Sequence, residues 1–358
     1  ELMGAVNDVR LAVWRDQGPA FTSTTAVIDA DGTIVKTTGE CKEGMALSYK
    51  GIWGYHPLLI SLANTGEPLY LVNRSGNRPS HEGAAEYFDR AAVLCRRAGF
   101  RKITFRGDTD FTQTKHLDGW DEDGVKFLFG ADAKLNVRLE AELLENESWE
   151  RLVRPPKYEV RTQPRRRREN VKERIVIQRH FQNIRLVSED VAEFDYQPVA
   201  CRKTYRMIVV RKNLSVRRGQ KELFPDVRYF FYLTNDRTTP ADALVRKANR
   251  RCNQENLIEQ LKNGVHALDE SLDDLESNWA YMVMGSLAWT LKAWAALLLP
   301  ETGRWAEKHR QEKHRLLRME FTTFVNAFIQ VPCQLVRTGR RIVYRLLSWN
   351  PWQHVFLR

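Results

Sequence analysis

Three acidic residues far apart in the chain, Asp31, Asp108 and Glu255, stand where a strand end or a helix face presents them to one point. Asp31 closes the run AVIDAD, Asp108 follows ITFRG, and Glu255 lies within RRCNQENLIEQLKNG. Carboxylates that converge repel one another unless they share cations. Hard divalent ions such as Mg²⁺ are held in this way, with waters and substrate phosphate completing the octahedron. Two such ions about 4 Å apart activate an attacking oxygen and stabilise a leaving one in an in-line phosphoryl displacement. That is the chemistry of nucleases and of strand transfer.

Each acid taken singly also has a simpler reading. Asp31 in D-G-T can make a turn hydrogen bond, and Asp29, two residues earlier on the same strand face, competes for its role. Asp108 and Asp110 form an ordinary pair at a strand exit. Glu255 shares a helix face with Arg251 and Lys262, where a surface ion pair is worth about 0.2–0.5 kcal/mol. It is the three together, in the order strand, strand, helix, that favour metal chemistry.

The elements that must position them follow from apolar spacing. Strands are expected over AVIDADGTIV (from Ala26), PLYLVNR (68–74), KITFRGD (102–108), VKFLFGAD (125–132) and RYFFYLTN (228–235). Between the second and third, residues 80–99 carry apolar positions at helical spacing, with Ser80 as N-cap and Gly99 as the stop. Residues 240–264 read as one helix from Pro240 to Gly264. Alternation of strand and helix argues an α/β sheet. The apolar stretch 279–300 is about as long as a bilayer span, but Lys292 and the diluting Gly285, Ser286 and Thr290 make it a helix buried in a protein core. No membrane association is expected.

The 358 residues carry 56 Lys/Arg against 45 Asp/Glu, a net charge of +11. Residues 151–220 hold 19 of those bases against 7 acids, so the remainder of the chain is close to neutral. An anionic partner is expected, nucleic acid first. Pieces of that segment such as RIVIQRHF, NIRLVS and YRMIVVRK read as short strands. Arg165, Arg166, Arg167, Arg168, Lys172 and Arg174 are its candidates for gripping a duplex. A solvated loop is the plainer alternative. Trp149 at its start is either a stacking platform for an unpaired base or a core tryptophan, and His56 reads as structural. The tail from Arg304 to Arg358 is basic and helical in texture, either a solvated face or a DNA contact. Five cysteines with no CxxC pair indicate a reducing compartment and no structural zinc. The chain opens at Glu with no signal-like segment, as a piece of a longer protein would.

On IDADGT (28–33), KGIWGYHPL (50–58), RSGN (74–77), FRGDTDF (105–111), YLTN (232–235) and RRCNQENLIEQLKNG (250–264), the chain resembles the catalytic core of bacterial insertion-sequence transposases of the DDE type, in the group with a β-rich insertion before the catalytic Glu. The resemblance covers roughly residues 20–345. It implies an α/β, RNase H-like mixed sheet flanked by helices, interrupted by a basic β-rich insertion and followed by a helical C-terminal region. The implied boundaries are 1–135 and 228–300 for the two parts of the core, 136–227 for the insertion and 301–358 for the tail. It places the catalytic and metal-holding acids at Asp31, Asp108 and Glu255, with two Mg²⁺ ions for which Mn²⁺ can substitute. It also implies a Tyr-x2-Arg-x3-Glu-x6-Lys signature. Arg251, Glu255 and Lys262 match, and Arg251 and Lys262 are then expected on DNA phosphates. Ala248 stands where the tyrosine is expected, and Asp110 where a small residue is usual. The implied partners are double-stranded DNA, as transposon terminal repeats and target, and a second copy in a synaptic homodimer. The implied location is the bacterial cytoplasm, on the nucleoid when bound. A DNA-binding remnant that does not cut and a structure-specific nuclease are the rival functions.

Overall fold

The computed structural model describes residues 1–39, 41–154, 171–218, 221–222 and 226–358. A helix, α1 (Leu2–Asp16), precedes strands β1 (Thr25–Gly32), β2 (Leu58–Leu62) and β3 (Glu67–Val72). Then come α2 (Ala84–Ala98), β4 (Lys102–Gly107), α3 (Thr114–Glu122) and β5 (Lys126–Ala131). A short helix α4 (Val171–Gln178) leads to the long strands β6 (Gln182–Tyr196) and β7 (Tyr205–Arg218), and β8 (Asp226–Thr234) follows. The chain then turns helical, through α5 (Ala241–Asn249), α6 (Cys252–Glu259), α7 (Leu275–Leu297) and α8 (Ala306–Leu317), and ends in strands β9 (Cys333–Thr338) and β10 (Arg341–Leu346).

One ten-stranded mixed sheet runs β3-β2-β1-β4-β5-β8-β7-β6 and on to Glu150–Arg151. β1, β4 and β5 are mutually parallel, and their outer neighbours run antiparallel. Strand alternation splits the core between two faces. Ile28, Ile60, Phe105 and Phe127 face α1, α2 and α3 on one side. Leu59 and Leu71 face α6 and α7 on the other, while Leu128, Ile208 and Val210 meet Leu244 and Val245 of α5. The α2 side is strongly aromatic: Phe88 stacks on Phe105 at 4.6 Å between centroids, with Trp120 edge-on at 5.1 Å from Phe105. Burying each such ring contributes about 1.5–3 kcal/mol. At the sheet edge a buried carboxylate ties three helical side chains to β3. Glu67 accepts from Arg10 (3.0 Å), Trp14 (2.9 Å) and Trp294 (2.8 Å), which fixes α1 and α7 at once.

Several expectations are corrected. The helix expected over 80–99 begins at Ala84, after Gly83 in the left-handed region, and Ser80 is not its cap. RIVIQRHF is not a strand: residues 171–178 are helical, with Val171 and Ile175 one turn apart. The strands of the basic segment are long rather than short, and β7 pairs with β8 over nine residues, so they extend the central sheet. The expected single helix over 240–264 is interrupted at Arg250–Arg251 and ends in a wider π turn at Gln260–Gly264. In the tail, VRTGRRIVYRL is a β-hairpin rather than a helix. Its strands are rich in β-branched residues and Gly339, at φ 55°, supplies the turn. The stretch 279–300 is a core helix, and among the described residues no helix is long and apolar enough to cross a membrane.

Candidate active site

The parallel pairing of β1 and β4 sets Asp29 opposite Arg106, so Asp31 at the end of β1 and Asp108 just past β4 emerge from neighbouring strands at the same sheet edge. Ligands of open α/β sheets sit at this carboxyl edge. The Asp108 carboxylate also accepts from the Asp110 backbone N–H at 3.1 Å, which holds the short turn after the strand. α6 brings the third acid. Its inner side is docked on β2 by Leu257, Ile258 and Gln254, whose amide oxygen accepts from Ser61. That leaves Arg251 and Glu255 on the side facing Asp31 and Asp108.

Arg251 stands among the three acids. Its guanidinium lies 3.0 Å from Asp31, 3.7 Å from Asp108 and 3.8 Å from Glu255. All four line one cleft of about 420 Å³, with Thr33, His56, Asp110 and Lys262. Burial pushes the Asp31 carboxyl up to about 6, against the pull of Arg251 and with the repulsion of Asp108 added. Asp108 is likewise raised, again chiefly by burial. Both acids are therefore costly to ionise here and gain from a cation. Among the described residues, no three acidic, His or Cys side chains stand close enough to close on one metal ion. The donor set is nonetheless that of a hard divalent ion, three carboxylates turned toward one positive charge. In this structure the position between them belongs to Arg251.

Asp29 does not compete with Asp31. It is buried and holds Arg106 bidentately at 2.7 and 2.6 Å, out of the cleft. Lys262 lines the cleft and donates to the Ile34 carbonyl at 3.0 Å, half-buried, with its ammonium lowered by burial. Lys172 and Arg174 are exposed on α4 and are not part of the cleft. Arg165, Arg166, Arg167 and Arg168 lie outside the described residues. Trp149 packs against the core beside Tyr229, with the Arg211 guanidinium 4.1 Å above its ring. His56 is buried and donates from Nδ1 to the Arg78 carbonyl at 2.8 Å, its pKa lowered by burial. Ala248 packs beside the α5 apolar cluster.

Tyr49 and Lys50 also line the cleft, Tyr49 largely exposed and Lys50 with its ammonium 5.4 Å from the tyrosine ring. Spacing did not single them out, because they sit on a loop. The available signal was Lys50 at the head of KGIWGYHPL.

The chain matches the transposase DDE domain group 1 family over residues 12–358. No curated protein matches it. Among solved structures it is similar to a chain of a piggyBac transposase synaptic complex with hairpin DNA, at 8% identity and a TM-score of 0.40, covering 83% of this chain and 52% of that one. The present chain thus spans about half the length of that relative.

Proposed function

Because the chain belongs to the transposase DDE domain group 1 family, whose members cut and rejoin DNA with divalent metals, we propose that it cleaves DNA at transposon ends and transfers the freed 3′-OH into target DNA. Asp31, Asp108 and Glu255 are the acids that would hold two Mg²⁺ ions, with Mn²⁺ able to replace them. The observation that carries this reading is the meeting of these acids, distant in sequence, around one guanidinium. The strand order β3-β2-β1-β4-β5, with β1, β4 and β5 parallel, supports an RNase H-like core beneath them.

When bound, the ions supply Lewis-acid activation of the attacking oxygen and neutralise charge on the leaving one. The protein's own part is positional. Asp31 and Asp108 present ionised carboxylates at the sheet edge, and Glu255 completes the set from α6. Arg251, displaced from the acids, is near enough to hold the phosphate being cut, while Lys50 and Lys262 fit flanking phosphates; such contacts set register and carry little sequence information. In the first step water attacks the phosphodiester and the 3′ oxygen leaves as a hydroxyl. In the second, that hydroxyl attacks a target phosphodiester and displaces another 3′ oxygen, so the number of ester bonds is conserved. The working form on this reading is a homodimer bridging two ends in the bacterial cytoplasm.

Replacing Asp108 by Asn should abolish Mg²⁺-dependent nicking and leave salt-sensitive duplex binding intact; unchanged nicking overturns the assignment. Joining of a 3′-OH end to plasmid separates a transposase from a nuclease. A second reading, a DNA-binding remnant, is favoured by Arg251 standing among the acids. It predicts binding without any nicking by the unsubstituted protein.

A further inference from the structure

The β9–β10 hairpin projects from the body with both faces in solvent. Leu335 and Tyr344, directly opposite each other, are 62% and 68% exposed. A two-stranded hairpin with nothing against it is marginal in water, so this one is built to meet a partner. Its charge identifies the partner's sign. From Phe321 to Arg358 there is no acidic residue, and the hairpin carries Arg337, Arg340, Arg341 and Arg345, all exposed and none in an ion pair among the described residues. By register, Arg341 and Arg345 share one face with Gln334, Arg337 lies on the other, and Arg340 sits in the turn. Guanidinium groups thus stand on both faces of the ribbon and at its turn.

The geometry points to this ribbon as a duplex-DNA contact separate from the acidic cleft. The major groove is about 12 Å wide and admits a two-stranded β-ribbon, and ribbons are used in this way by known DNA readers. Each strand has six residues, about 20 Å of length, and a ribbon seated between two phosphate walls is met by anions on both sides. A second copy's ribbon bears the same charges and is repelled, so the apolar positions Leu335, Ile342 and Tyr344 do not by themselves select a dimer. The choice of DNA among polyanions rests on the function proposed above. The binding itself does not depend on cleavage.

The test uses the full chain carrying Asp108→Asn, so that nothing is cut, and measures duplex affinity from about 50 to 200 mM salt. With Arg337, Arg340, Arg341 and Arg345 all changed to Gln, the slope of log affinity against log salt should shrink by about 3–4, roughly 0.9 for each phosphate no longer neutralised. Lys at the same four positions should preserve the slope. Gly339→Val, which strains the turn but keeps every charge, should weaken binding. Thermal melting unchanged by the four Gln substitutions shows that the core is intact. An unchanged slope in the Gln variant overturns the proposal, as does a fall in its mass by light scattering with duplex binding retained, which makes the ribbon an interface between copies. Failure of the unsubstituted protein to nick DNA bears on the proposed enzyme and leaves this result standing.

Discussion

Arg106 and Asp29 face each other across the parallel pair β1/β4, joined by two hydrogen bonds of 2.7 and 2.6 Å and both almost completely buried. The third arm of the guanidinium donates to the Lys247 carbonyl at 2.6 Å. In an uninterrupted helix that carbonyl would accept from the Arg251 N–H. Here Arg251 donates instead to Ala248, at 3.0 Å, and the helix breaks at that residue. A side chain inserted into the i to i−4 ladder is a recognised cause of such breaks. One arginine therefore ties together the two strands that carry Asp31 and Asp108 and the helix that leads to Arg251 and Glu255.

Arg106→Ala leaves Asp29 buried without its partner, and loss of one member of a buried pair costs about 3–5 kcal/mol. Urea unfolding should show that loss. Arg106→Ala combined with Asp29→Ala removes both charges and should recover much of it. Equal destabilisation in the single and double variants would show that the pair is not what matters.

A pH effect is expected from Glu270, which is buried at a left-handed backbone position, φ 45°. One of its carboxylate oxygens has no hydrogen-bond partner, and neither has the amide oxygen of Asn73, whose nitrogen donates weakly to Glu270 at 3.4 Å. A proton on Glu270 gives this acceptor-rich site a donor. Burial accordingly pushes the carboxyl up to about 7, against the pull of Asn73 and Lys42. The folded state then binds more protons than the unfolded one between about pH 4.5 and 7. Stability from this group is greatest below that window and is lost as pH rises through it. Glu270→Gln should raise stability at pH 8 by on the order of 1–3 kcal/mol and have little effect near pH 4. A gain of equal size at both pH values would dispose of the explanation.

Most of the site is legible in the sequence because its parts obey local rules. Asp31 and Asp108 follow apolar, β-branched runs, and Arg251, Glu255 and Lys262 sit at helical spacing. What could not be read depends on contacts across space. The break at Arg251 is set by Arg106, some 140 residues away in the chain, and no propensity near position 251 announces it. The placement of Arg251 among the acids likewise rests on contacts with residues far away in the chain. The hairpin at 333–346 was masked by a different ambiguity. Its arginine-rich texture suits an amphipathic helix, and only the glycine turn between two runs containing β-branched residues decides for strands. Nothing in the sequence around Glu67 marks it as buried, because the partners that bury it, Arg10, Trp14 and Trp294, come from distant parts of the chain.

Lys292 resolves the apolar stretch that is long enough to span a bilayer. It is fully buried on α7, and its ammonium lies 3.4 Å from the Trp289 ring centroid while donating to the carbonyls of Leu317 at 3.0 Å and Met319 at 2.6 Å. Those carbonyls lie at and just past the end of α8, where the helix has no further N–H groups to offer. The lysine thus acts as a C-terminal cap supplied from another helix. Lys292→Met fills the space but leaves two buried acceptors unpaired, at about 1–3 kcal/mol each. The loss should be local as well as global: amide exchange should accelerate in residues 306–319 more than in β1 or β4. Lys292→Arg, which retains donors, should restore part of the protection. Uniform acceleration across the sheet, or full stability in the Met variant, would mean that the carbonyls find other partners and that the cap is dispensable.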